Sequence, residues 1–214
     1  MIKKIAIIGA GGFGREVKML IDQINEKKNE WELVGFFDDG IEKCQLVNEI
    51  QCLGVVESLN DITYPLFVVL AIGEPQTKKC VFEKITNKNI SYATLIHPTA
   101  ILGSDSVLIG EGTIITAGVI ITVNISIGKH VILNLCSTVG HDTIIGDFSS
   151  FMPSVNISGE VVINAGVYIG TGAKIINQVE IGHNTIVGAG AVVSRSLPPN
   201  CTAVGIPAKP IKFH

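Results

Sequence analysis

An apolar residue recurs at every sixth position from Ile109 to Val193, and this repeat constrains the fold more than any other feature of the chain. A period of six matches neither the 3.6-residue repeat of an α-helix nor the turn spacing of an antiparallel sheet. It matches a solenoid in which strands of about four residues alternate with corners of about two, three sides closing each coil. The predicted interior positions are Ile109, Ile115, Ile121, Ile127, Leu133, Val139, Ile145, Phe151, Ile157, Ile163, Ile169, Ile175, Ile181, Val187 and Val193.

Two further positions within the six-residue repeat agree with a solenoid. The fourth residue after the apolar position is often small or β-branched, as at Thr113 and Ala173. Glycine often follows the apolar position directly, as at Gly110 and Gly140. Because positive φ costs glycine little, we expect these glycines to form the corners of the coil.

The composition indicates which partners the protein is not expected to bind and which cellular compartment suits it. A formal net charge of −3 argues against nucleic acid or an anionic membrane as the main partner. No stretch of about 20 apolar residues predicts a membrane-spanning helix, and the apolar run near the start is too short for a signal peptide. The five cysteines are odd in number and scattered, so we expect reduced thiols in a cytoplasmic protein.

The first 40 residues carry the pattern of a nucleotide-binding unit. An apolar strand over 3–8 leads into the glycine turn Gly9–Gly14, and a helical pattern follows. Strand, glycine turn and helix together let backbone N–H groups approach a phosphate closely. A second strand over 33–37 ends in Asp38-Asp39, where such a fold holds a ribose. The alternative is that this acidic pair only forms a turn.

Strands and helices alternate as far as residue 96. We predict a strand over 66–72, a helix over 76–87 and a strand over 92–96. This alternation is typical of a small parallel α/β domain. We therefore divide the chain into an α/β domain, 1–96, and a solenoid domain, 97–214.

The chain resembles the nucleotide-sugar N-acetyltransferases of the left-handed β-helix superfamily, particularly those acting on amino-dideoxy sugars, and the related sialic-acid O-acetyltransferases. The resemblance implies a Rossmann-like N-terminal domain that holds the sugar nucleotide, followed by a left-handed parallel β-helix of hexapeptide repeats. It also implies a homotrimer with acetyl-CoA, the co-substrate, in the groove between adjacent prisms, and no metal. The resemblance rests on Gly9–Gly14, Asp38-Asp39, Ala71-Ile72-Gly73, the segment 134–148 and Val204–Lys209.

The same resemblance assigns the chemistry. His141 matches the family's general base, which takes a proton as the sugar amine attacks the thioester. Asp142 matches the acid that raises the basicity of that histidine. Asn134, seven residues before His141 in the same motif, is the third residue expected to be catalytic. Adjacent residues of a straight strand point to opposite faces, so His141 and Asp142 can cooperate only at a corner. We expect His130 and His183 to be solvated corner residues, and a covalent route through Cys136 is the weaker alternative.

Binding residues follow from the resemblance as well. Ser150 stands where related enzymes carry a second histidine, and Phe13 replaces a polar residue of the glycine turn. The residues expected to bind the sugar nucleotide are Gly11, Gly12, Phe13, Asp38, Asp39 and Gly73. Those expected to bind the coenzyme are Ser150, Gly159, Thr171, Ala189 and Lys209.

Four alternatives to sugar N-acetylation stay open at the level of sequence. The first is O-acetylation of a sugar hydroxyl, which needs the same base. The second is a trimeric zinc hydrolase, which needs a histidine cluster. The third is a nicotinamide oxidoreductase, suggested by the glycine turn alone, although 95 residues are few for a full dinucleotide fold. The fourth is a non-catalytic trimeric scaffold.

Overall fold

The chain divides into two compact units. The computed structural model describes residues 2–214, so Met1, where the predicted first domain begins, lies outside it. The first unit runs through Gly73 and resumes over Thr77–Pro98, and the second comprises Glu74–Gln76 and Thr99–His214. We retain 1–96 and 97–214 as the proposed domains. Within the described residues no helix is long and apolar enough to cross a membrane.

A six-stranded sheet forms the core of the first unit. The elements in chain order are β1 (Lys3–Ile8), α1 (Gly12–Lys27), β2 (Trp31–Phe37), β3 (Leu46–Val47), β4 (Ile50–Gly54), a 3₁₀ helix (Val56–Asp61), β5 (Leu66–Leu70), α2 (Pro75–Glu83), β6 (Ile90–Tyr92) and β7 (Leu95–Ile96). The strand order is β3-β4-β2-β1-β5-β6, with β3 antiparallel to β4 and the other neighbours parallel. The predicted parallel α/β class is therefore confirmed.

Two elements of the first unit differ from prediction. The predicted helix over 76–87 ends at Glu83, because the Asn60 side chain binds the Lys84 carbonyl at 2.9 Å and the Thr86 amide at 2.9 Å. These bonds replace the next helical turn. The predicted strand over 92–96 is instead two strands, β6 and β7, separated by residues 93–94.

Short strands form the second unit. Their bounds are β8 (Ile101–Leu102), β9 (Val107–Ile109), β10 (Ile114–Ile115), β11 (Ile120–Ile121), β12 (Ile125–Ile127), β13 (Ile132–Leu133), β14 (Thr138–Val139), β15 (Ile144–Ile145), β16 (Ser150–Phe151), β17 (Asn156–Ile157), β18 (Val162–Ile163), β19 (Tyr168–Ile169), β20 (Lys174–Ile175), β21 (Glu180–Ile181), β22 (Ile186–Val187), β23 (Val192–Val193), β24 (Cys201–Val204) and β25 (Lys209–Phe213). Most are two residues long rather than the predicted four, because the corners are longer than predicted.

Three parallel sheets make the walls of the solenoid. Wall one contains β10, β13, β16, β19, β22 and β24 with the antiparallel β25 at its end; wall two contains β8, β11, β14, β17, β20 and β23; wall three contains β9, β12, β15, β18 and β21. Each strand pairs with the strand one coil later, so that Val139 lies beside Ile157 and Ile157 beside Ile175. The side chains of the six-residue repeat from Ile115 onward are buried, which confirms those predicted interior positions. Ile109, predicted as the first of them, is only half-buried in the first coil.

The glycines that follow the repeat residues have a different role from the predicted one. None of Gly110, Gly140 or Gly182 has a positive φ. A Cβ at Gly140 would instead lie 2.6 Å from the carbonyl carbon of Ser158, so close approach of the next coil excludes a side chain. The left-handed conformation falls two residues later, at glycines such as Gly112 with φ 74° and at non-glycine residues such as Asp142 with φ 56°.

Candidate active site

His141 and Asp142 form a hydrogen-bonded pair at the corner that follows β14. Because Asp142 is left-handed, the chain turns there and the two adjacent side chains lie on the same side. Nδ1 of His141 lies 2.7 Å from Oδ2 of Asp142. The two side chains are 55% and 50% exposed, so a ligand in solvent can approach them.

The pairing favours one imidazole tautomer. A carboxylate only accepts hydrogen bonds, so Nδ1 carries the proton that faces Asp142 and Nε2 has the free lone pair. The hydrogen bond from His141, followed by that from Asn124, holds the pKa of the Asp142 carboxyl below its usual value. Asp142 is therefore ionised near neutral pH, and the open Nε2 can act as a general base.

Gly159 lies directly against the His141 ring, one coil further along. A Cβ at Gly159 would lie 2.4 Å from Nε2 and 2.5 Å from Cε1 of His141. The φ of Gly159 is not left-handed, so the space taken by the imidazole, rather than backbone conformation, accounts for the glycine. The structure thus brings this predicted coenzyme residue next to the predicted base.

Asn124 also belongs to this corner, although the sequence reasoning missed it. Its Nδ2 donates to Oδ1 of Asp142 at 3.0 Å from the preceding coil. Residues one coil apart differ by 18 positions, so counting 18 residues back from Asp142 would have found it.

Asn134 and Ser150 lie apart from the histidine. Asn134 is buried at the previous corner, where its Oδ1 accepts from the Leu135 amide at 2.7 Å. Within residues 2–214 it makes no hydrogen bond to His141. Ser150 is fully buried in β16. Their predicted roles in catalysis and coenzyme binding stay predictions.

The other predicted coenzyme residues occupy a second corner. Thr171 follows β19 and Ala189 follows β22, so both lie where wall one ends, whereas His141 and Gly159 lie where wall two ends. Thr171 and Ala189 are exposed. Lys209 begins β25 and borders a cleft of about 390 Å³ that Arg195 also lines. One chain therefore does not bring all the predicted coenzyme residues together.

In the glycine turn of the first unit, Gly14 is closely packed whereas Gly11 has free space beside it. A Cβ at Gly14 would lie 1.9 Å from the Gly9 carbonyl oxygen, so strand and helix approach closely there. Gly11 has no atom near its missing side chain, and α1 begins at Gly12. Amides of the first helical turn lack partners within the helix and form the positive end of its dipole. With Phe13 partly exposed in that turn, this is an anion-binding geometry.

The acidic pair both shapes the turn and borders a cleft. Asp38 accepts from the Ala10 amide at 2.7 Å and the Gly40 amide at 2.8 Å, and Asp39 accepts from the Val56 amide at 2.8 Å. These bonds agree with the turn interpretation of the pair. Both residues also line a cleft of about 250 Å³ beside Gly9, whereas the predicted Gly73 lies after β5, outside its lining.

One histidine prediction is wrong. His130, expected to be solvated, is only 1% exposed and stacks on Phe148 with ring centroids 5.0 Å apart. Its ring occupies the space beside Gly112, where a Cβ would lie 2.3 Å from Nδ1. His183 is exposed, as predicted. Across residues 2–214 no three His, Cys, Asp or Glu side chains converge on a possible metal site.

Family models match both parts of the chain. The PglD N-terminal domain matches residues 4–85, and the bacterial transferase hexapeptide model (six repeats) matches residues 160–195. GDP-perosamine N-acetyltransferase from Escherichia coli O157:H7 is 33% identical over 212 residues, which is 96% of this chain and 95% of that protein.

Solved structures resemble the whole chain. The acetyltransferase domain of PglB from Neisseria gonorrhoeae FA1090 is 29% identical with a TM-score of 0.88, covering 98% of this chain and 100% of that one. PerB from Caulobacter crescentus, in complex with CoA and GDP-perosamine, is 30% identical with a TM-score of 0.85, covering 99% of each chain.

Proposed function

The chain belongs to the left-handed β-helix sugar N-acetyltransferases that carry a PglD-type N-terminal domain, and on this premise we propose its acceptor and its catalytic residues. It is an acetyl-CoA-dependent enzyme that acetylates a nucleotide-linked amino sugar. The proposed acceptor is the amine of an amino-dideoxy sugar, and the proposed base is His141. The observation that carries this proposal is the His141–Asp142 contact of 2.7 Å, which leaves Nε2 open.

The proposed reaction is direct transfer. The neutral amine attacks the thioester carbonyl carbon, and Nε2 of His141 takes the proton that the nitrogen loses. When the tetrahedral intermediate collapses, the carbon–sulfur bond breaks and the imidazolium returns the proton to the thiolate. The products are the acetamido sugar and free CoA. Asp142 stabilises the imidazolium through Nδ1 and keeps the tautomer fixed.

We also propose a homotrimer with the coenzyme between two copies. His141 and Gly159 lie on one corner of the solenoid, where wall two ends, whereas Thr171 and Ala189 lie on another, where wall one ends. A coenzyme in the groove between adjacent columns would contact one corner from each copy. A trimer therefore brings Gly159 of one copy and Thr171 and Ala189 of the next to each site, in a closed symmetric assembly.

The sugar nucleotide is proposed to bind the first unit. The open amides at Gly11 and Gly12 suit its phosphates, and the cleft beside Asp38 and Asp39 suits the nucleoside. GDP-perosamine is the first candidate, since it is the bound nucleotide sugar of PerB. Because acetyl-CoA is a metabolite of the cytoplasm and the five cysteines are free thiols, we place the reaction there.

The test is turnover with matched acceptors. Purified protein is incubated with acetyl-CoA and GDP-, UDP- or dTDP-linked 4-amino-4,6-dideoxy sugars, and CoA release is followed with a thiol reagent. We expect turnover with one amino sugar and none with the 4-hydroxy counterpart of the same nucleotide. Turnover of hydroxyl acceptors alone would replace the proposal with O-acetylation.

A further inference from the structure

The residues stacked on Asp142 at the same corner of successive coils repeat one side-chain arrangement. At successive coils its residues are Asn124, Asp142, Glu160 and Gln178, all left-handed with φ between 56° and 62°. Asn124 Nδ2 donates to Asp142 Oδ1 at 3.0 Å, and Gln178 Nε2 donates to Glu160 Oε2 at 3.0 Å. Each of the two central acids is thus held by a neutral amide on its outer side.

Two acids occupy the neighbouring coils at the centre of this series. Strands of adjacent coils lie about 4.8 Å apart, so ionised Asp142 and Glu160 repel each other across neighbouring coils. The amide of Gln178 binds Glu160 from one side, and the amide of Asn124 binds Asp142 from the other. Each carboxylate thus has its own amide donor, and Asn124 holds Asp142 independently of Gln178.

We infer that Asn124 is a positioning residue for acetyl transfer. By holding Oδ1 of Asp142, it keeps Oδ2 on Nδ1 of His141. The Asp142 side chain is half exposed, so without this second contact it would sample other rotamers in water. The inference rests on the proposed role of His141 as the base.

The identity of the residue at 124 fits this role. An amide orients the carboxylate without cancelling its charge, whereas a lysine would compete with the imidazolium for that charge. An acid would repel it. Asparagine also tolerates the left-handed conformation, with φ 56°, better than most residues.

The sharpest variant is Asn124→Asp, which keeps the size and the backbone preference but replaces the donor with a second carboxylate. We expect kcat to fall about tenfold, the loss of one hydrogen bond to a charged group, with KM for both substrates unchanged. The matched control is Gln178→Ala, which removes the equivalent amide–acid contact two coils from Asp142 and should keep the wild-type kcat. Equal losses in both variants would overturn the inference.

A double-mutant cycle separates positioning from a general structural effect. In an Asp142→Ala background, Asn124→Asp should cause no further loss of kcat, because the group it positions is gone. Multiplicative losses would show that Asn124 acts by another route and would overturn the inference. Thermal unfolding midpoints of all variants establish that they are folded.

A readout without turnover keeps this inference distinct from the proposed function. The ¹⁵N shifts of the His141 ring in wild type should show the proton on Nδ1, and in Asn124→Asp a mixture of tautomers. Wild-type protein that acetylates no amino sugar would refute the function. An active wild type with unchanged ring shifts and kcat in Asn124→Asp would overturn this inference alone.

Discussion

The His141 imidazole has one nitrogen bound to Asp142 and the other open, so removing the ring should remove the base and little else. We expect His141→Ala to lower kcat by roughly 10²–10⁴-fold while acetyl-CoA binding is retained. His183→Ala is the control, because His183 is also an exposed corner histidine. Steady-state kinetics with calorimetric titration of acetyl-CoA checks both. A small effect at His141, or an equal one at His183, contradicts the assignment.

The pH dependence separates the two members of the pair. The hydrogen bond from His141, then that from Asn124, lowers the pKa of Asp142, so this carboxylate loses its charge only as the pH falls through that lowered value. Imidazole side chains in general take up a proton at a higher pH than carboxylates do. We therefore expect kcat/KM to fall with decreasing pH while Asp142 is still ionised. A rate that stays flat down to pH 5 would exclude a histidine base.

Gly159 provides a second test at the same corner. The atoms nearest a Cβ at this position all belong to the His141 ring, so Gly159→Ala should move the imidazole and leave the coil intact. A shift of about 1 Å can cost roughly 10²-fold in rate. We expect that loss in kcat with an unchanged unfolding midpoint. In a His141→Ala background Gly159→Ala should have no further effect; if it still lowers the rate, the glycine has another role.

The sequence predicted adjacent residues of this corner better than stacked ones. His141 and Asp142 are neighbours in the chain, so a local motif was enough to single them out. Asn124 reaches Asp142 only because one coil takes 18 residues, and local motifs do not contain that distance. His130 was misjudged for a related reason, since its burial depends on Phe148 in the next coil.

At the scale of elements, the side chains of the two residues of β18 point to opposite faces of the wall. Substitutions at the two positions should therefore differ in their effect on the free energy of unfolding. Ile163 is 1% exposed and packs inside the column, so Ile163→Ala should lower the free energy of unfolding by about 2–5 kcal/mol. Val162 is 36% exposed, and Val162→Ala should cost less than about 1 kcal/mol. Denaturant unfolding at one fixed protein concentration measures both. Similar costs would mean that the outward face is also buried in the assembly.

The interior positions of the solenoid could be predicted because an apolar residue at a fixed period of six identifies them. The inward position needs an apolar side chain in every coil, and the sequence supplies one at each. The β3–β4 hairpin was not predicted, because its turn uses Asn48 and Glu49 at positive φ without a glycine. The early end of α2 was missed because it depends on Asn60, which is distant in sequence.

At the scale of the whole molecule, the proposed trimer predicts that each site uses two copies. His141→Ala removes the base from one corner, and Ala189→Trp places a large side chain on the exposed second corner, so each variant alone should be inactive. In a closed three-fold ring, any trimer containing both variants has one groove with His141 from one copy and Ala189 from the next. Random mixing makes about three quarters of the trimers mixed, each with one intact site in three.

Co-expression of the two variants should therefore restore roughly a quarter of the wild-type activity. Light scattering should report a particle of three 22.7 kDa chains for each variant and for the mixture. Mixing the two purified variants without subunit exchange is the control and should restore nothing. If each site lay within a single chain, co-expression would restore no activity even in a trimer, because every chain would carry one damaged corner.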